Sequence, residues 1–194
     1  MVLTPSRSQN KREEVESSEL AEEGGEHETR GGRPDPSPFR WIIDPLDGTT
    51  NFAHSFPFFC VSIALEFAGQ IIFGLVLDPV RDELFLAEEE KGARLNGRRL
   101  RVSKTQSLGE SLLVTGFAYD RRKEVGGNLK HFGNFLQRAR GIRRTGSAAL
   151  DLCYVASGRF DGFWEMKLSP WDTAAGKLIL EEAGGRVSDF QGAP

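Results

Sequence analysis

Two apolar runs, Phe58–Phe67 (FFCVSIALEF) and Gln70–Leu77 (QIIFGLVL), stand two residues apart across Ala68-Gly69. Both are rich in β-branched and aromatic residues. Such runs joined by two small residues read as an antiparallel hairpin. A hairpin this apolar needs further layers to cover it, and the neighbouring sequence supplies them. Trp41–Asp44 (WIID) has the pattern of a buried strand. Asp82–Ala87 and Leu112–Thr115 read as further strands, and Asn96-Gly97 as a tight turn. Val125–Ala139 carries Leu129, Phe132, Phe135 and Leu136 at helical spacing. Gly146–Ala156 reads as a second helix and Phe160–Glu165 as a strand. Ser169–Ala183 reads as a third helix, closed by Gly184-Gly185. Strands and helices mixed in this order predict an α/β fold, more closely an α+β layered sandwich with a large, partly antiparallel sheet.

The apolar content is enough for a real core: 39% of 194 residues, with 14 Phe. The net charge is −3. The acidic excess lies in residues 1–40, which hold six basic and nine acidic residues. Residues 1–19 are therefore expected to be a poorly ordered polar segment, and residues 20–194 one domain. This balance excludes a generally basic protein that coats nucleic acid. No apolar run approaches the roughly 18 residues of a membrane span. The segment MVLTPSRSQN has no apolar signal core. Cys60 and Cys153 lie far apart within apolar stretches, too few for a disulfide framework or a cysteine zinc site. A cytoplasmic protein is the expectation.

The chemistry concentrates in three acidic segments. In Asp44-Pro45-Leu46-Asp47-Gly48-Thr49-Thr50-Asn51-Phe52, two carboxylates follow a strand directly. Pro45 holds Asp44 extended and Gly48 permits a sharp turn, so both carboxylates can converge on one point. The N–H groups of Gly48 and Thr49 could face an anion if a helix starts there. Carboxylates beside free N–H donors suit a Mg²⁺ ion that also contacts phosphate; an ordinary Asp/Gly turn reads the same way. In Ser169-Pro170-Trp171-Asp172, Ser169 fits a helix N-cap and Asp172 the third helical position of a capping box. The same carboxylate can also aim outward at a metal. Glu22-Glu23 reads in isolation as solvated charge.

Together these segments resemble the inositol monophosphatase family. That family shows a Glu-Glu pair, then D-P-x-D-G-T-x-N-F after a strand, then W-D-x-A-A-G opening a helix that ends in E-A-G-G. Here they stand as Glu22-Glu23, Asp44–Phe52, Trp171–Gly176 and Glu182–Gly185, in the family order, and the match runs from Leu20 to Pro194. The resemblance implies the layered sugar-phosphatase fold. It also implies Mg²⁺ ions held by Glu22, Asp44, the backbone carbonyl of Leu46, Asp47 and Asp172. Glu22, Asp47 and Thr49 would be the catalytic set, with Glu22 and Thr49 orienting the attacking water. Gly48 and Thr49 would take the phosphate, and Gly146, Ser147, Ala148 and Glu165 would contact the rest of the substrate.

The implied reaction is hydrolysis of a small phosphate monoester, a phosphorylated polyol or sugar, with myo-inositol 1-phosphate in first place. Histidinol phosphate, fructose bisphosphate and 3′-phosphoadenosine nucleotides are the rivals. No membrane or nucleic-acid partner is expected. The family is commonly dimeric, so a homodimer is implied, although no interface is legible in the residues. Two features depart from the family pattern. Residues 1–20 hold no D-x-V-T-x-x-D segment, whose second Asp would partner Thr49. The family also continues beyond the sequence matching Ser188–Gly192. The expectation is a sugar-phosphatase fold incomplete at both ends, and with it a second reading: an impaired homologue that binds only metal or a partner.

Overall fold

Among the described residues, eleven strands and four α-helices build two sheets with helices between and beside them. The computed structural model describes residues 18–21, 25–28, 37–117 and 127–193, with only the backbone of the first two stretches. The larger sheet contains β1 (Ser18–Ala21), β2 (Gly25–Glu28), β3 (Phe39–Asp47), β4 (Cys60–Phe67), β5 (Gln70–Asp78), β6 (Glu83–Glu88), β7 (Gly92–Leu95) and β8 (Arg98–Arg99). Its order is β2-β1-β3-β4-β5-β6-β7-β8, antiparallel throughout except where β1 runs parallel to β3. The smaller sheet is parallel, with β9 (Leu112–Thr115) between β10 (Gly141–Arg143) and β11 (Gly162–Trp164). The helices are α1 (Thr49–Ala53), α2 (Gly127–Leu136), α3 (Ala148–Ala156) and α4 (Pro170–Glu182).

The apolar hairpin is present as β4 and β5, and its turn has the backbone that two-residue connections demand: Ala68 at φ 49 and Gly69 at φ 87. Along β4 the buried side chains are Cys60, Ser62 and Ala64, all small. Small residues on that face let a helix lie close. Gly74 in β5 takes this further, since a Cβ there would stand 2.8 Å from the Ala175 carbonyl oxygen of α4. Helix α3 is buried along its whole length and packs against α4 and both sheets. Such a helix must be apolar all round, which GSAALDLCYVA provides apart from Asp151. Sheet, helix layer and smaller sheet make the α+β sandwich. Among the described residues no helix is long and apolar enough to cross a membrane.

Several boundaries differ from expectation. The Gly146–Ala156 helix begins at Ala148, because Gly146 at φ 89 and Ser147 as extended N-cap form its entry. The Phe160–Glu165 strand is limited to Gly162–Trp164. Within Val125–Ala139 the described helix spans Gly127–Leu136, and Val125 lies outside the described residues. Of its four periodic apolar residues only Phe132 and Phe135 turn inward, toward Phe117 and Trp164, while Leu129 and Leu136 are exposed. Of the segment expected to be poorly ordered, residues 1–17 lie outside the described residues; Ser18 and Glu19 open β1.

Candidate metal centre and cleft

Asp44 and Asp47 share one face of β3 because the strand is bulged. Asp44 pairs with Ser62 and Asp47 with Cys60, so Pro45 and Leu46 together stand opposite Val61. In a regular strand, residues three apart point to opposite faces. The extra residue reverses that alternation and brings both carboxylates to one side. Pro45 suits the bulge, since it has no N–H to give the ladder. The expected turn at Pro45–Gly48 is thus a bulged strand continuing to Asp47. It is followed by Gly48 at φ 93, the N-cap of α1. A Cβ on Gly48 would stand 2.9 Å from the Phe58 carbonyl oxygen, so the bend needs glycine twice over.

Asp172 arrives from the other side, on the first turn of α4. Its Oδ2 accepts the Ser169 N–H at 2.6 Å, closing the capping box. Asp44, Asp47 and Asp172 each bring a carboxylate oxygen within 4.8 Å of the others. One oxygen of Asp172 thus caps the helix while the carboxyl joins the acidic cluster. Asp44 is 1% exposed and Asp47 8%. Three carboxylates at this depth repel one another, and hard oxygen donors in a cluster fit a small divalent cation such as Mg²⁺.

Asp47 is held by α3. Its Oδ2 accepts from the Ser147 hydroxyl at 2.7 Å and from the Ala149 N–H at 2.8 Å. Burial nevertheless raises its pKa to about 6, assisted by the Asp172 charge and opposed by these hydrogen bonds. Ser147, expected to contact substrate, is 1% exposed, is not among the cleft-lining residues and gives its hydroxyl to Asp47. As N-cap of α3 the Ser147 oxygen accepts the Leu150 N–H at 3.4 Å while its hydrogen goes to Asp47.

A cleft of ≈ 430 Å³ opens over the three carboxylates. Leu46, Gly48, Thr49, Gly146, Ala148 and Glu165 line it. Glu165 stands across from the aspartates, and its pKa is raised to about 7 by burial and by the Asp47 and Asp172 charges, with Arg144 opposing. Glu22 lies outside the described residues; β1 ends one position before it, with Ala21 paired to Ile43 beside Asp44. The structure adds Asn51, Gly116, Phe117 and Arg144 to the cleft wall. Asn51 donates to the carbonyls of Phe58 at 2.7 Å and Thr145 at 2.8 Å, which ties the α1 segment to the entry of α3. Only its place within the D-P-x-D-G-T-x-N-F segment marks Asn51 in the sequence, and nothing local marks Gly116 or Arg144.

The inositol monophosphatase family pattern matches residues 7–194. An inositol-1-monophosphatase of Synechocystis sp. is 53% identical over 175 residues, covering 90% of this chain and 59% of that protein. The Nus factor SuhB of Pseudomonas aeruginosa is 51% identical over 175 residues, covering 89% and 64%. Among solved structures, the inositol monophosphatase from Anabaena (Nostoc) sp. superposes with a TM-score of 0.85 at 50% identity, over 92% of this chain and 69% of that one. The chain spans about six-tenths of the length of the curated relatives it matches. It belongs to the inositol monophosphatase family.

Proposed function

We propose that this family member hydrolyses a small phosphate monoester, myo-inositol 1-phosphate in first place, with Mg²⁺ held by Asp44, Asp47 and Asp172. The observation that carries the reading is the convergence of these three carboxylates beneath a cleft whose far wall bears Glu165. Glu22 and the Leu46 carbonyl complete the proposed ligand set. Bound Mg²⁺ would offset the charge of a phosphate dianion and make a water more acidic. The protein's own groups do the rest. Gly48 and Thr49 stand at the start of α1, where backbone N–H groups lack helical partners and can receive phosphate oxygens. The Thr49 hydroxyl and Glu22 orient the attacking water. Glu165, with Gly146 and Ala148 beside it, accepts hydrogen bonds from substrate hydroxyls. Ser147 acts through Asp47, holding that carboxylate toward its neighbours.

The test is phosphate release from myo-inositol 1-phosphate with Mg²⁺ and with chelator. Release should need Mg²⁺, and Asp44→Asn should lower it by about 10²-fold or more, in line with loss of a metal ligand or its orienting shell. Release that survives both chelator and Asp44→Asn would rule the reading out. A second reading rests on the relatives themselves: the names inositol-1-monophosphatase and Nus factor SuhB occur at nearly equal identity, 53% and 51%. A role as a Nus factor, with or without hydrolysis, is that alternative. Absence of release from every ester tried, by a folded protein that still binds Mg²⁺, would favour it.

A further inference from the structure

The cleft wall that carries Glu165 is built from the ends of two parallel strands, and one side chain from a helix ties them together. Trp164, the last residue of β11, pairs with Thr115, the last residue of β9. Asn128 on α2 reaches both. Its Oδ1 accepts the Trp164 indole N–H at 2.5 Å. Its Nδ2 donates to the Gly116 carbonyl at 2.5 Å and to the Thr115 hydroxyl at 3.1 Å. The Thr115 hydroxyl passes its own hydrogen to the Trp164 carbonyl at 2.6 Å. The orientation of this amide is chemically fixed: an indole N–H can only donate and a carbonyl can only accept. Every donor in the ring therefore meets an acceptor.

The two residues after the tied strands are Gly116 and Glu165. They are in contact, for a Cβ on Gly116 would overlap both Glu165 carboxylate oxygens. The carboxylate thus rests on the bare Cα of Gly116. Its position is set by where Gly116 and Trp164 are held, and Asn128 holds both.

We propose that Asn128 is a positioning residue for Glu165, and that through it α2 sets how the cleft discriminates phosphorylated polyols from esters without hydroxyls. This rests on the phosphatase reading for its kinetic consequence, though not for its structural one. Loss of the amide's donors would leave the Gly116 carbonyl only the Thr115 hydroxyl, at 3.3 Å and already committed to the Trp164 carbonyl, and so loosen the hold on Gly116. Glu165 would lose its seat, while Asp44, Asp47 and Asp172, carried by β3 and α4, would keep theirs. Substrate hydroxyls that Glu165 accepts would then bind less well, and the phosphate end would be untouched.

The experiment uses Asn128→Asp, which keeps the acceptor for the indole and removes the donor. In a crystal structure of this variant the Glu165 carboxylate should have left Gly116; a carboxylate still seated there overturns the inference whatever the activity. In kinetics, KM for myo-inositol 1-phosphate should rise about tenfold, the worth of one misplaced hydrogen bond. Its kcat, and both constants for 4-nitrophenyl phosphate, should stay within about twofold. In a Glu165→Gln background the KM effect should vanish, since coupled residues are non-additive. Equal losses on both esters, or an effect that persists in that background, would mean that Asn128 only docks α2. Should Asn128→Asp fail to fold, Asn128→Ser, which removes the amide donor without adding a charge, must give the same KM pattern. An unsubstituted protein that hydrolyses neither ester refutes the phosphatase reading alone, and the crystal structure then decides the inference.

Discussion

The site's demands fall most heavily on Asp47. Its proton is held more tightly in the fold, at about 6, than at its ordinary value of 3.8, because burial disfavours the charge more than Ser147 and Ala149 favour it. In the metal-free protein the stability linked to Asp47 is therefore full below about pH 4 and is lost as the pH rises through about 6. A cation reverses this, since it binds the ionised carboxylates and competes with protons for them. Millimolar Mg²⁺ should raise the melting temperature little near pH 5 and more near pH 8. Asp47→Asn should flatten that dependence. An increment of equal size at both pH values in the unsubstituted protein would place Asp47 outside the cation site.

Elements whose signal is local are legible in the residues alone. The β4–β5 hairpin, β9 and α4 stand close to where the sequence pattern puts them, because apolar runs, a two-residue turn and a Ser-Pro cap act over short range. Strands β7 and β10 carry no such signal: GARL and GIR are too short to show a period, and they exist because β6 and β9 offer them an edge. The β3 bulge is hidden for a related reason. Pro45 and Gly48 point to convergence of Asp44 and Asp47, but the device, two residues opposite Val61, depends on the partner strand. That Ser147 holds Asp47 is hidden for the same reason: the partner of its hydroxyl is 100 residues away in the chain. The hairpin turn also carries a local conflict. Ala68 adopts φ 49, a left-handed conformation that costs a residue with a Cβ roughly 1–2 kcal/mol. Asn tolerates it, and Asn-Gly is a favoured pair for such turns. Ala68 is exposed, and Ala68→Asn keeps the N–H that donates to the Pro38 carbonyl at 2.8 Å. The substitution should raise the melting temperature by about 2–4 °C, as expected for about 1 kcal/mol in a chain of this size. An unchanged or lowered melting temperature would show that the turn is not strained.

At the scale of the whole molecule, the three-aspartate cluster is a product of how closely two layers meet. Asp44 and Asp47 belong to the large sheet and Asp172 to the helix layer, so the spacing between layers sets the distance between the carboxylates. That spacing is tight at Gly74, where β5 passes under Ala175, one turn along α4 from Asp172. A methyl group there would be 2.8 Å from the Ala175 carbonyl oxygen and 3.1 Å from its Cα, contacts that only a shift of the backbone can relieve. Overpacking of this kind costs about 1–3 kcal/mol. Gly74→Ala should therefore lower the melting temperature by several degrees and, by lifting α4, weaken the Mg²⁺-induced rise, although Gly74 does not line the cleft. Gly97→Ala is the matched control. Gly97 sits in a surface turn at φ 79 with nothing within 4 Å of a Cβ, so its substitution strains only the turn. It should lower the melting temperature and leave the Mg²⁺ increment intact. If Gly74→Ala destabilises the fold as Gly97→Ala does, with the increment unchanged, the distance between layers is not what brings Asp172 to the other two aspartates.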